Sequence, residues 1–317
     1  MHFQMENTPS GHPGRLDFQP ISLSDRALFN AHLQDGRERG CEYSFPNLYL
    51  WGRQCAVQIH NYIALFSEYD RRSVYPYPIG SGDVKPVLDA ILADARARGI
   101  SCCITNIVPE EKQLLEMLYP GKFCYHCDRD AFDYVYSIHD LADLKGKKYH
   151  GKRNHFTRFQ AAHPEYRVEP LCEDNLDLAH RMAEKWYETR MQEDPSGDYS
   201  LEKNALYKAF RHFQELHMDG LLLLDGSEVL AVTLGSRIND QIFDVHFEKA
   251  RGDVDGAYVA INCEFARYIR NQYPGIQFLN REDDMGIEGL RTAKLSYKPH
   301  HMIEKYWACQ MENDDDD

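Results

Sequence analysis

The sequence predicts an α+β protein of two tandem domains, each a mixed, mostly antiparallel sheet with flanking helices. Two observations predict it. A chain of 317 residues exceeds one ordinary core, and its 43% hydrophobic and 12% aromatic residues are enough to fill two. The second is a repeated order of elements: strand, glycine-containing turn, helix, strand, helix, strand occurs once in each half.

In the first half, Asp17–Ile21 reads as a strand, and Ser22 or Ser24 caps a helix towards Leu33. Ser73–Ile79 is strand-like and runs into Gly80-Ser81-Gly82-Asp83. A helix follows with Val84, Val87, Leu88, Ile91, Leu92 and Ala95 on one face, and Gly99 stops it. Then come a strand Cys102–Val108, a helix opened by Pro109, and a strand Phe132–Ile138. In the second half, Tyr166–Leu171 is a strand, and Asp174 caps a helix through Leu178, Met182 and Trp186. Trp186 and Tyr187 are expected to pack the core. Leu221–Leu224, Asp225-Gly226 and Val229–Leu234 make a hairpin with a tight turn. Ile242–Phe247 is a strand, Arg251-Gly252-Asp253-Val254-Asp255-Gly256 a turn, and Ile261, Phe265 and Tyr268 mark a helix. A strand Gln277–Leu279, a helix Ile287–Leu295 and a last strand Met302–Cys309 close the series. The expected domains are residues 15–142 and 143–310, dividing near Leu141–Lys145, with a flexible start at 1–14 and an acidic tail at 311–317.

Composition narrows the function classes. The net charge of −14 argues against a protein coated for nucleic acid. The charge is uneven, however: between Asp143 and Glu165 there is no acid, while Lys145, Lys147, Lys148, Lys152, Arg153 and Arg158 fall there. Such a segment suits one bound polyanion, or is a solvated helix. The start lacks the apolar stretch of an export signal, and no window approaches a bilayer span, so the expected location is cytoplasmic. The nine cysteines read as free thiols, with Cys102, Cys103 and Cys263 acting as small hydrophobes. Cys124 and Cys127 flank His126, but a strand puts them on opposite faces and no second ligand pair exists, so no metal is expected.

The order of elements resembles the GCN5-related acetyltransferase (GNAT) fold. Lys147–His155, Ala257–Asn262 and Asn280–Arg291 resemble a bacterial family grouped with the C-terminal domain of phosphatidylglycerol lysyltransferases. That family is similar to the Fem-type peptidyltransferases, which hold two such domains in tandem. The resemblance implies transfer of an acyl or aminoacyl group to an amine, from acyl-coenzyme A or from aminoacyl-tRNA. It also implies a Gln/Arg-x-x-Gly-x-Gly/Ala turn around a coenzyme A pyrophosphate. Here that turn keeps Arg251 and Gly256, with Ala257 after it as a further cofactor-binding candidate, but has Val254 at the first glycine, with Asp253 and Asp255 of the wrong sign. Either the phosphate sits differently or the donor is not coenzyme A. A non-catalytic protein holding a phosphorylated ligand or tRNA is the alternative.

Candidate residues follow from the same segments. Lys148, Lys152 and Arg153 are expected to meet phosphate, Lys148, Lys152 and His155 sharing a helical face. On the helix from Ile287, the apolar arc of Ile287, Leu290 and Leu295 includes Arg291 and Lys294, so both cations need acids or phosphates. Glu282 or Asp283 is expected to pair with Lys294, as a structural network or as part of a polar cleft. Asp244, His246 and Glu248 are expected on one side of their strand, where His246 or Glu248 is the candidate base unless the face is simply solvated.

Overall fold

The computed structural model describes residues 14–33, 38–69, 72–195 and 197–311. Apart from Gly14 and Met311, the expected flexible start and acidic tail lie outside the described residues. The chain forms two units, one of residues up to Phe132 plus those from Ile303, the other Asp133–Met302.

The first unit contains β1 (Gln19–Pro20), α1 (Arg26–Leu33), α2 (Phe45–Trp51), β2 (Gln54–Ile59), β3 (Tyr62–Tyr69), β4 (Arg72–Pro76), β5 (Ile79–Gly80), α3 (Lys85–Arg98), β6 (Cys103–Ile107), α4 (Pro109–Leu118) and β7 (Phe123–Cys127). The second contains β8 (Asp133–Ser137), α5 (Ile138–Asp143), α6 (His150–Ala162), β9 (Arg167–Pro170), α7 (Leu176–Glu193), α8 (Ser200–Arg211), β10 (Asp219–Asp225), β11 (Glu228–Arg237), β12 (Ile242–Ala250), α9 (Ala257–Gln272), β13 (Phe278–Asn280), α10 (Glu288–Ser296) and β14 (His301–Ile303). The last strand, β15 (Tyr306–Gln310), returns to the first unit.

Local chemistry explains the elements that were legible in sequence. In α3, the predicted face of Val87, Leu88, Ile91, Leu92 and Ala95 is buried, and Gly99 ends the helix at φ 70°. Its Asp94, fully buried, is held by the Tyr75 hydroxyl and Arg98 Nε, each 2.7 Å away. Helices α2, α5 and α8 were not expected: α2 and α5 are too short to show a period, and α8 follows a loop without a strong cap.

The two sheets share an order. In the first it is β1-β2-β3-β4-β6-β15-β7, with β5 on β3 and only β4·β6 parallel among the pairs with a given register. In the second it is β14-β8-β13-β12-β11-β10-β9, with β12·β13 parallel. Each sheet therefore has a parallel pair bridged by a helix, and beside it a strand from outside its own half of the sequence. β15 lies between β6 and β7, and β8 lies beside β13.

This exchange corrects the expected division at 142/143. The strand expected to close the first domain pairs with β13 instead, its Tyr134 N–H donating to Glu282 O. The expected last strand Met302–Cys309 is two strands, broken at Glu304-Lys305. Lys305, 1% exposed, turns inward there to meet Glu42 at 2.6 Å. Cysteine usage also differs from expectation: Cys103 and Cys309 form a disulfide between β6 and β15. Among the described residues no helix is long and apolar enough to cross a membrane.

The Lys305–Glu42 pair yields a test. Lys305→Ala removes a buried charge partner of Glu42 within the first unit and is expected to cost about 3 kcal/mol in chemical denaturation. Adding Glu42→Gln to the same chain is expected to recover part of that loss. A Lys305→Ala chain with unchanged stability would show that the pair does not anchor β15.

Candidate functional site

The second unit gathers most of the predicted residues through two departures from regular strand geometry. The first is a bulge in β12. Leu234 pairs with Phe247 and Ser236 with Asp244, so two steps along β11 face three along β12. Before the bulge, Phe243 packs on Phe265 of α9, ring centroids 5.6 Å apart. After it, Glu248 meets Asn262 of α9, while Lys249 turns to Glu202 of α8 and the Trp186 ring of α7. The expected row of Asp244, His246 and Glu248 is therefore split between two faces. Nor is it solvated: Asp244 is 0% exposed and His246 7%.

The second departure is a splay. The β12·β13 ladder ends at Asp244 and Asn280, after which β12 runs on to Ala250 while β13 stops and the chain leaves as the Arg281–Ile287 loop. In the gap Glu248 pairs with Arg281 at 2.8 Å, and Asn262 Nδ2 donates to Glu248 at 3.3 Å. The Arg281 guanidinium lies 4.9 Å from the Tyr297 ring centre and 5.8 Å from that of Tyr136. From α6, the Lys152 ammonium lies 3.7 Å from the Tyr297 ring centre. Burial, and then the Arg281 charge, lower the Lys152 ammonium to about 8, against a smaller opposing effect of Glu248. Two buried polar atoms here have no hydrogen-bond partner among the described residues: Arg281 Nη1, a donor, and Asn262 Oδ1, an acceptor.

Next to the splay, His246 uses both ring nitrogens. Nε2 lies 2.9 Å from Ser236 Oγ, and Nδ1 lies 3.2 Å from Glu282 and 3.4 Å from Asp244. An imidazole so engaged is oriented from both sides.

The Arg281–Ile287 loop is held by the cations that sequence placed on the apolar arc of α10. Lys294 is buried but reaches main-chain carbonyls, Arg281 O at 2.5 Å and Asp283 O, where a side-chain pair with Glu282 or Asp283 was expected. Arg291 grips Asp284 through two bonds of 2.9 and 2.8 Å. Tyr134 and the Gly286 N–H also donate to Asp284, and these partners outweigh its burial, holding its carboxyl well below the usual carboxylate range. Glu282 and Met285 adopt positive φ, 56° and 50°, strained for non-glycine residues and tolerated under these clamps. The amphipathic expectation for α10 is inverted: Ile287 and Leu295 are exposed and Lys294 is the residue buried.

The other expected phosphate ligands, Lys148 and Arg153, lie elsewhere. Lys148 pairs with Asp140 at 2.8 Å, and Arg153 donates to the carbonyls of Leu144 and Gly146. His155 and Arg158 both meet Asp255 at 3.1 Å. The acids missing from the basic segment are thus supplied by α5 and by the turn before α9. That turn is closed as a phosphate cradle. Arg251 is engaged by Asp253 at 2.7 Å and Glu228 at 3.2 Å, and the Ala257 N–H donates to Val254 O. At Gly256, φ 82°, a Cβ would stand 2.6 Å from His155 O, so this glycine serves the packing of α6 over the start of α9. Two groups expected to meet a coenzyme A pyrophosphate, the Arg251 side chain and the Ala257 N–H, are thus engaged within the protein. Beside the turn lies a cavity of about 710 Å³ between α7 and the β10–β11 turn, lined by Trp186, Arg190, Glu228, Arg251 and Asp253. Trp186 is therefore a half-buried wall of that cavity.

Tyr136, Tyr297 and Ser236 were not found from sequence, because each reaches the site through strand pairing or a loop far away in the chain. Asn262 and Arg281 lie within the segments that carry the family resemblance, and Arg281 also opens the charged run Arg281-Glu282-Asp283-Asp284.

The geometry sets two expectations. Lys152 is expected to react with amine-directed acylating reagents with a midpoint near pH 8, against about 10.4 for an ordinary lysine. Removing a neighbouring cation favours the ammonium, so Arg281→Gln should move the midpoint up. A midpoint unmoved by Arg281→Gln would separate the two groups. Lys294→Met leaves two carbonyls of the clamped loop without their donor, and is expected to lower stability by about 1–3 kcal/mol in denaturant titration.

Comparison with known proteins agrees with this architecture. A crystal structure of a conserved protein of unknown function from Bacteroides thetaiotaomicron is 36% identical, with TM-score 0.87 over 93% of this chain and 99% of that one. L-PGS from Bacillus licheniformis matches at TM-score 0.67 and 15% identity over 94% and 95% of the two chains. FemX matches at 0.52 and 12% over 93% and 98%, and these two likenesses show the fold alone. An uncharacterised protein of Mycoplasmoides gallisepticum is 25% identical over 179 residues, 55% of this chain, and the match spans about half (54%) of that relative's length. Residues 34–309 match the family described as phosphatidylglycerol lysyltransferase, C-terminal. The chain belongs to that transferase family, with a tandem GNAT-like fold.

Proposed function

We propose that this protein transfers an aminoacyl group from aminoacyl-tRNA to an amine acceptor, in the gap between β12 and β13. The observation that carries the proposal is the unmatched pair in that gap, Arg281 Nη1 and Asn262 Oδ1, on either side of Glu248. An aminoacyl ester is complementary to this set. Its carbonyl oxygen accepts from Arg281 Nη1, and its ammonium donates to Asn262 Oδ1 and Glu248.

The reaction is aminolysis. The acceptor amine attacks the ester carbonyl, a C–N bond forms, and the C–O bond to the ribose breaks. Arg281 faces the oxygen on which negative charge develops. Lys152, lowered to about 8, is in part neutral near physiological pH and can take the proton lost by the amine and return it to the leaving ribose oxygen. The closed Arg251–Gly256 turn supports a tRNA ester over acyl-coenzyme A as donor.

The test is binding and transfer with charged tRNA, uncharged tRNA and acetyl-coenzyme A in parallel. Charged tRNA should bind tighter than uncharged, and a pool of amine acceptors should speed its deacylation. Asn262→Ala should reduce transfer by roughly tenfold, the value of one hydrogen bond to a charged group, at near-native melting temperature. Equal binding of charged and uncharged tRNA, with thermal stabilisation by acetyl-coenzyme A alone, would overturn the proposal.

A further inference from the structure

We infer that the outer face of the first sheet carries a thiol–disulfide exchange site built from Cys103, Cys309 and Cys124. The three residues lie on three neighbouring strands in one line. Cys309 of β15 is directly opposite Cys103 of β6 on one side and Cys124 of β7 on the other. Residues directly opposite across a ladder project from the same face, so all three sulfurs share one side of the sheet. That side is the solvent side. Cys124 is exposed and Cys103 and Cys309 are half-buried, whereas their strand neighbours Cys102, Ala308 and Phe123 face the core.

In the structure the disulfide joins Cys103 and Cys309, and Cys124 is a free thiol whose Sγ donates to Cys309 O at 3.2 Å. The third sulfur thus lies against the backbone of the residue it would attack. Strand spacing for a directly opposed antiparallel pair, about 5.5 Å between Cα atoms, is also within the span of a disulfide. The step is balanced without any added oxidant. The Cys124 thiolate attacks Cys309 Sγ, a Cys124–Cys309 bond forms, the Cys103–Cys309 bond breaks, and Cys103 leaves as a thiolate that takes up the proton Cys124 lost. β15 stays tied throughout, first to β6 and then to β7.

The neighbouring thiols do not compete. Cys102 faces the core, where burial pushes its thiol up to about 12. Cys127 is three positions from Cys124 on the same strand and opposite Tyr306, so it projects from the other face.

The test uses the full chain, incubated without oxygen at pH 8.5, quenched in acid, alkylated, and mapped by peptide mass spectrometry. Two of the nine cysteines are paired, so seven free thiols are expected before and after incubation. A Cys124–Cys309 peptide should appear with time, together with alkylation of Cys103. Cys124→Ser should remove the new linkage and slow Cys103 alkylation by roughly tenfold or more, and Cys127→Ser should behave as the parent chain. The inference is overturned by nine free thiols at the outset, by persistence of the Cys103–Cys309 linkage alone in the parent chain, or by loss of the new linkage in Cys127→Ser.

Discussion

The second unit is organised around the ion pair of Glu248 and Arg281 across the gap where β12 and β13 part. Two parallel strands that separate leave a wedge between them, and a wedge lined with ionisable groups is stable only if those groups satisfy one another. Glu248 supplies the negative charge that permits Arg281 to stay buried, and burial followed by the Arg281 charge depresses the Lys152 ammonium. Tyr136 and Tyr297 present ring faces to the cations, so charge is balanced with few acids. Replacing any member changes the electrostatics of the rest.

Much of the remaining polar structure positions this wedge. Glu248 faces α9 because the β12 bulge shifts the alternation by one residue at that point. Arg281 is fixed because Lys294 holds the carbonyls on either side of Glu282, and Arg291 holds Asp284 at the end of the same loop. The strain at Glu282 and Met285 is sustained by these clamps. Cations that sequence offers as ligands thus work one step back, as supports. The turn before α9 follows the same logic, since Asp255 and Gly256 serve the contact with α6.

The exchange of strands gives both sheets their order. Each parallel pair, β4·β6 and β12·β13, is flanked by a strand that arrives from far along the sequence. Such pairing requires closing very long loops, which slows folding relative to local pairing. In the first sheet a disulfide fastens the incoming β15, with Lys305 buried just ahead of it.

What the sequence determined by itself was local. The α3 face closing at Gly99, the β10–β11 hairpin around Asp225-Gly226 and the helix after Gly256 all follow from side-chain period and turn chemistry, which act within a few residues. The family resemblance, carried by Lys147–His155, Ala257–Asn262 and Asn280–Arg291, also brought Lys152, Asn262 and Arg281 into view. Only tertiary structure decided which strands pair, because alternation marks a buried face but names no partner: β8 reads the same whether it joins β7 or β13. It likewise decided the roles of the charges. The basic segment lacks acids in sequence and finds them in Asp140 and Asp255, and Lys294 turns from an expected carboxylate to two carbonyls. A charged side chain is long and its partner is set by distance in space, which residue spacing along one helix does not encode.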